Sequence, residues 1–147
     1  PEKGWCYLAQ LMEAPPLTTP QRFGDSMDFW GVDVDAVTLG SVSTRLWWRV
    51  ETAPSLDYSI SLRLVDGAGA VVSQNDGPIN HYGVEIVQTS QLQPGKIYID
   101  WRTLEIPAHQ SEAPYTLQLV VYQSWDGARL RLPDGADAII LDTLTIS

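Results

Sequence analysis

Cysteine is almost missing from this chain: Cys6 stands alone among 147 residues, so no internal disulfide can close and no second thiolate is available to a metal. A solitary thiol of this kind reads as a small buried hydrophobe. Histidine is nearly as scarce. His81 and His109 lie in loop-like stretches without the spacing of a metal-ligand pair, and no Ser or Cys sits in a nucleophile-elbow motif, so nothing points to triad chemistry. Basic residues number nine against 18 acidic ones, a formal charge of −9, and they are scattered singly. A polyanion would meet repulsion and no basic stripe, which excludes nucleic acid as a partner and disfavours docking on anionic lipid. No apolar run approaches the ~20 residues that span a bilayer. "GWCYLAQLM" at 4–12 is the most apolar opening stretch and is far too short, so this fragment is not expected to insert into a membrane. The chain starts with Pro rather than Met, as expected of a piece of something longer.

What is present suits one globular domain: 44% hydrophobic residues, six Trp and six Tyr, and no internal repeat or low-complexity run. Residues 13–22, "EAPPLTTPQR", hold three prolines and cannot sustain a helix. They imply an extended lead-in over 1–21 and a folded domain over 22–147.

Within that domain the hydrophobic period is two. In "SVSTRLWWRVE" (41–51) Val42, Thr44, Leu46, Trp48 and Val50 share one face, which sends Trp47 to the wet one. "MDFWGVDVD" (27–35) reads as an earlier strand. "YSISLRLVD" (58–66) continues through Asp66-Gly67-Ala68-Gly69 into "AVVSQ" (70–74) as a hairpin. Further strands are expected at 96–106, 115–123, 129–132 and 138–146. Around 100–104 the apolar face changes parity, from Ile97, Ile99 and Trp101 to Leu104 and Ile106, which a β-bulge would explain. Residues 75–93 read as a long loop. No stretch carries helical spacing for three turns. The expected class is all-β: an antiparallel sandwich of about seven or eight strands, jelly-roll or immunoglobulin-like.

Four aromatic or imidazole side chains are the candidate ligand contacts. Trp47, Tyr82 and Trp125 offer flat surfaces of the kind that stack on sugar rings, and His81 adjoins Tyr82. The acidic residues Asp25, Asp28, Asp33 and Asp35 invite a calcium reading but lack an Asp-x-Asp-x-Asp-Gly loop, so a solvated edge is expected and no metal or cofactor is assigned. A glycoside hydrolase would need two carboxylates facing across a cleft. Glu85, Asp100, Glu105 and Glu112 are available by count, yet no short motif pairs them, so an enzyme is not expected.

The succession "RFGDSMDFWGVDVD", "LWWRVETAPSLDYSISLRLVDGAGAVVSQNDGP", "QLQPGKIYIDWRTLEIP" and "YTLQLVVYQSWDGARLRLPDGADAIILDTLTI" resembles the β-sandwich at the carboxyl end of bacterial polytopic membrane proteins of the dolichyl-phosphate-mannose-type glycosyltransferase class. The resemblance covers about residues 22–147 and departs at 75–93, where "PINHYGVEIVQ" is unusual. It implies an appended, non-catalytic structural or interaction module on the extracytoplasmic side. Its expected partner is the membrane-embedded part of its own parent chain, where the transfer chemistry resides. The alternative is a carbohydrate-binding module that takes glycan on the exposed aromatics. A glycoside hydrolase on a β-sandwich stands third.

Overall fold

Three Asp-Gly-Ala tripeptides punctuate the chain, and each makes the same turn. The Asp66 carboxylate accepts from the Ala68 N–H at 3.0 Å, Asp126 from Ala128 at 2.9 Å and Asp134 from Ala136 at 3.0 Å. An Asp side chain that imitates a backbone turn stops one strand and starts the return. The computed structural model describes residues 14–38, 40–107 and 114–144, and within them the elements are strands and one short 3-10 turn at Thr89–Gln91. No helix among the described residues is long and apolar enough to cross a membrane.

The strands are β1 (Gln21–Phe23), β2 (Met27–Thr38), β3 (Ser41–Trp48), β4 (Ser59–Val65), β5 (Val71–Gly77), β6 (Ile79–His81), β7 (Glu85–Val87), β8 (Tyr98–Glu105), β9 (Tyr115–Tyr122) and β10 (Ile139–Leu144). They form two antiparallel sheets, a six-stranded one in the order β1-β2-β3-β8-β6-β7 and a four-stranded one in the order β10-β9-β4-β5. The all-β sandwich expected from the period of two is therefore present, with ten strands among the described residues where seven or eight were expected. Two stretches were misread. Residues 75–93 are not a long loop, because β6 and β7 form a hairpin there. Residues 129–132 are not a strand: they make a single bridge, Tyr122 to Arg129, and lay Leu130 and Leu132 against the core.

The facing sides of the sheets bury two apolar clusters. One gathers Phe23, Phe29, Leu46, Trp48, Ile60 and Leu119; the other holds Val42, Leu62, Leu64, Leu104 and Leu117. Between them lies a polar layer of Thr44, Asp100 and Arg102, all buried. Asp100 and Arg102 are two residues apart on one strand and so point the same way. Arg102 Nε donates to Asp100 Oδ2 at 2.8 Å, and its two terminal nitrogens donate to the carbonyls of Ile60, Asn75 and Gly77 in the opposite sheet and of Pro78 just after it, at 2.7–3.2 Å. Asp100 also accepts from the Asn80 N–H at 2.9 Å and the Trp48 indole at 3.4 Å.

This layer corrects the expected bulge. β8 pairs with β3 without interruption from Tyr98–Trp48 to Glu105–Ser41, so the parity does not change. Tyr98, Asp100, Arg102 and Leu104 all face inward, two of them charged.

The second correction concerns Trp47, expected on the wet face and only 3% exposed. Its cross-strand neighbour is Gly31, at a bulge in β2. The space where a side chain of Gly31 would stand is filled by Pro16, 2.8 Å from an ideal Cβ, and the Leu17 N–H donates to the Trp30 carbonyl at 3.0 Å. The segment at Pro16 and Leu17 thus lies across the outer face of the sheet beside Trp47. Gly31 also has φ +124°, so Gly31→Ala meets both strain and a clash. It should lower stability by about 1–3 kcal/mol, read from the midpoint of a urea titration.

Candidate functional site

Beyond Asp100, strand β8 has no ladder partner on its β6 side among the described residues, where β6 pairs with it at His81. Two asparagine amides cover the free edge instead: Asn80 Nδ2 donates to the Trp101 carbonyl at 3.4 Å and Asn75 Nδ2 to the Thr103 carbonyl at 3.2 Å. Capping an edge in this way leaves a step in the sheet surface rather than a site for another strand. The step opens into a concavity of about 540 Å³, lined among others by Asp35, Ser43, Arg45, Asn80, Trp101 and Thr103.

Trp101 is the one ring on that lining among the described residues, and it is 45% exposed. Alternation fixes its outward direction, because Asp100 and Arg102 on either side are committed to the core. Tyr82 meets it edge-on with centroids 6.2 Å apart, and Gly83 lies so close that a Cβ there would stand 3.0 Å from the indole. Arg45 is its cross-strand neighbour. The Arg45 guanidinium bonds Asp33 and stands 3.7 Å from Asp35, while its buried Nε has no acceptor among the described residues. An aromatic surface flanked by hydroxyl, amide and guanidinium groups can stack on the apolar face of a ring and exchange hydrogen bonds with its hydroxyls.

The four residues singled out from sequence do not converge. Trp47 is covered, on the outer face of β3. His81 packs its ring on Tyr98 at 5.1 Å and on Tyr82 at 4.6 Å, and its Nδ1 accepts the Ile99 N–H at 3.1 Å. That bond places the proton of a neutral ring on Nε2 and gives His81 a structural task. Tyr82, at φ 55°, occupies the β6–β7 turn. Trp125 is 55% exposed, in a turn after β9 of the other sheet, 6.3 Å from the Tyr58 ring. Beside Tyr58 is a smaller concavity that includes Asp57, whose carboxyl is held below its ordinary range by the hydroxyl and backbone N–H of Ser90. Trp101 was missed because its run with Ile97 and Ile99 looked like an inward face. Its signal was the pair of charges flanking it.

Of the acidic residues Asp25, Asp28, Asp33 and Asp35, expected as a solvated edge, Asp33 and Asp35 stand beside Arg45 and Asp28 is turned inward. Asp28 is buried and takes two hydrogen bonds from Arg22, at 2.6 and 2.9 Å, and Arg22 reaches Glu51 at 3.2 Å. Those bonds, Asp28 first, hold the Arg22 proton more firmly than in water. No group of three or more possible metal ligands occurs among the described residues. Of the carboxylates counted as catalytic candidates, Asp100 is buried in its ion pair, Glu85 and Glu105 are exposed, and Glu112 lies outside the described residues, as do Cys6 and His109. Asp28 and Glu51 do line one concavity together, and both accept hydrogen bonds from Arg22.

No protein-family model and no curated protein matches the chain. Among solved structures, a β-glucuronidase from glycoside hydrolase family 2 aligns at 16% identity and a TM-score of 0.43, over 78% of this chain and 10% of its own. A calcium-binding mutant of Bacteroides uniformis beta-glucuronidase 2 aligns at 10% identity and a TM-score of 0.46, over 77% and 14%. This chain therefore spans a small fraction of either protein.

Proposed function

We propose that this β-sandwich is a non-catalytic binding module whose ligand is carbohydrate, held in the concavity around Trp101. The observation that carries the reading is an exposed indole set among Ser43, Arg45, Asn80 and Thr103. Asp35 is the one carboxylate on that lining and stands beside Arg45, which supports binding over hydrolysis. The resemblance of residues 22–147 to the appended sandwich of polytopic glycosyltransferase-like proteins supports an extracytoplasmic setting, with the membrane-embedded part of the parent chain as neighbour.

A shallow platform gains stacking and a few hydrogen bonds that compete with water, so affinities near the millimolar range, about −4 kcal/mol, are expected. Calorimetry of the full chain against neutral oligosaccharides should show such binding, and Trp101→Ala should abolish it without changing the circular dichroism. Binding that survives Trp101→Ala, or silence across the panel, would remove the site. Sugar release lost in Glu51→Gln would make the protein an enzyme.

A further inference from the structure

A second concavity, of about 610 Å³, shares no lining residue with the first; its walls include Pro20, Trp30, Arg49, Pro94 and Gly95. We propose that it is a binding site for a carboxylate-bearing ligand, gripped by the guanidinium of Arg49. Every other arginine among the described residues donates to an acceptor on the protein: Arg22 to Asp28, Arg45 to Asp33, Arg63 to Ser61, Arg102 to Asp100, Arg129 to Asp137 and Arg131 to the Gly135 carbonyl. Arg49 donates to none of the described residues through its side chain.

It is nevertheless held in place. Its guanidinium lies 4.3 Å from the centroid of the Trp30 ring, and that ring is fixed because its indole N–H donates to the Arg49 carbonyl at 2.9 Å. Trp30 covers the cation on one side and leaves the donor-bearing edge for a planar acceptor. A solvated surface arginine would have to be ordered on binding; this one is ordered already. Two carboxylates, Asp28 and Glu51, also line the concavity, but their hydrogen bonds come from Arg22, so neither takes the donors of Arg49.

A single fork matches one carboxylate. A phosphate dianion would need a second free cation, which the lining lacks, and would meet more of the repulsion of a chain with net charge −9. The walls have room for a ring behind the acid group. A hexuronate and a simple aromatic acid share the required chemistry.

The site can be read directly at Trp30, whose indole N–H resonance in a nitrogen-15 correlation spectrum reports on the ring beneath Arg49. At low salt the full chain should respond to hexuronate and to benzoate, and at least about tenfold more weakly to the matching neutral hexose, since charge-assisted bonds are lost. Preference for either acid supports the site and names the kind of ring. Arg49→Gln should remove the response, and Arg49→Lys, which keeps the charge without the fork, should weaken it about tenfold. Trp101→Ala should leave it intact, so failure here is separable from failure of the neutral-glycan site. Equal response to acid and neutral sugar, or an unchanged response in Arg49→Gln, would overturn the proposal.

Discussion

Replacing Arg102 with Met should destabilise the fold by about 3–5 kcal/mol, because removing one partner of a buried ion pair strands the other. Asp100 would remain fully buried with its Asn80 and Trp48 donors but no cation, and the carbonyls of Ile60, Asn75, Gly77 and Pro78 would lose their donor. The same contacts explain why the effect reaches beyond one strand. Arg102 sits on β8 of the six-stranded sheet, and its acceptors belong to β4, β5 and the turn that follows, so the side chain ties the two sheets at the level where the apolar core is interrupted. Urea titration monitored by circular dichroism measures the loss. In the double variant Asp100→Leu/Arg102→Met the cost should be smaller than the sum of the two single variants, with a coupling on the order of 1–3 kcal/mol. A loss below about 1 kcal/mol in Arg102→Met would place the pair in contact with water.

That layer also marks where sequence reasoning stopped. The strand β3 was legible with its inward residues, since Val42, Thr44, Leu46 and Trp48, and Val50 just beyond it, are all buried as alternation requires, and β4 and β9 were legible as strands. The Asp-Gly turns were legible because the mechanism is local: a carboxylate reaching an N–H two residues ahead. β8 followed the same alternation, but the rule assumes that inward means apolar. Asp100 and Arg102 break that assumption together, and a buried pair is cheap only when its partners, here carbonyls from another sheet, are known. The β6–β7 hairpin escaped notice because three residues are too few to display a period.

The candidate site shares this origin. Reading Ile97, Ile99 and Trp101 as core took the exposed indole out of consideration and left Trp47, Tyr82 and Trp125 as the visible aromatics. Tyr82 does stand beside Trp101, so the sequence pointed at the edge of the concavity and missed its centre. Arg49 offered no sequence signal at all. Its stacking on Trp30 depends on the pairing of β2 with β3 at the Phe29–Gly31 bulge, a tertiary fact.

The tandem Trp47-Trp48 tests how far alternation governs the energetics. Trp48 is fully buried on the inner face, with ring centroids 5.3 Å from Phe29 and 6.4 Å from Phe23. Trp48→Ala should therefore cost about 3–5 kcal/mol, the range for deleting a large core ring. Alternation alone would make Trp47→Ala mild. The structure revises that expectation, because Trp47 is nearly as inaccessible, with Arg45 5.9 Å over its ring and the Pro16 segment across the neighbouring Gly31. Its removal should cost about 2–3 kcal/mol, less than Trp48 because the short Pro16 segment can settle into the vacated space whereas two packed sheets cannot. Urea melts of the two variants beside the parent chain decide the matter. A loss under about 0.5 kcal/mol for Trp47→Ala, the usual range for an exposed position, would mean that the Pro16 segment does not stay on the sheet in solution.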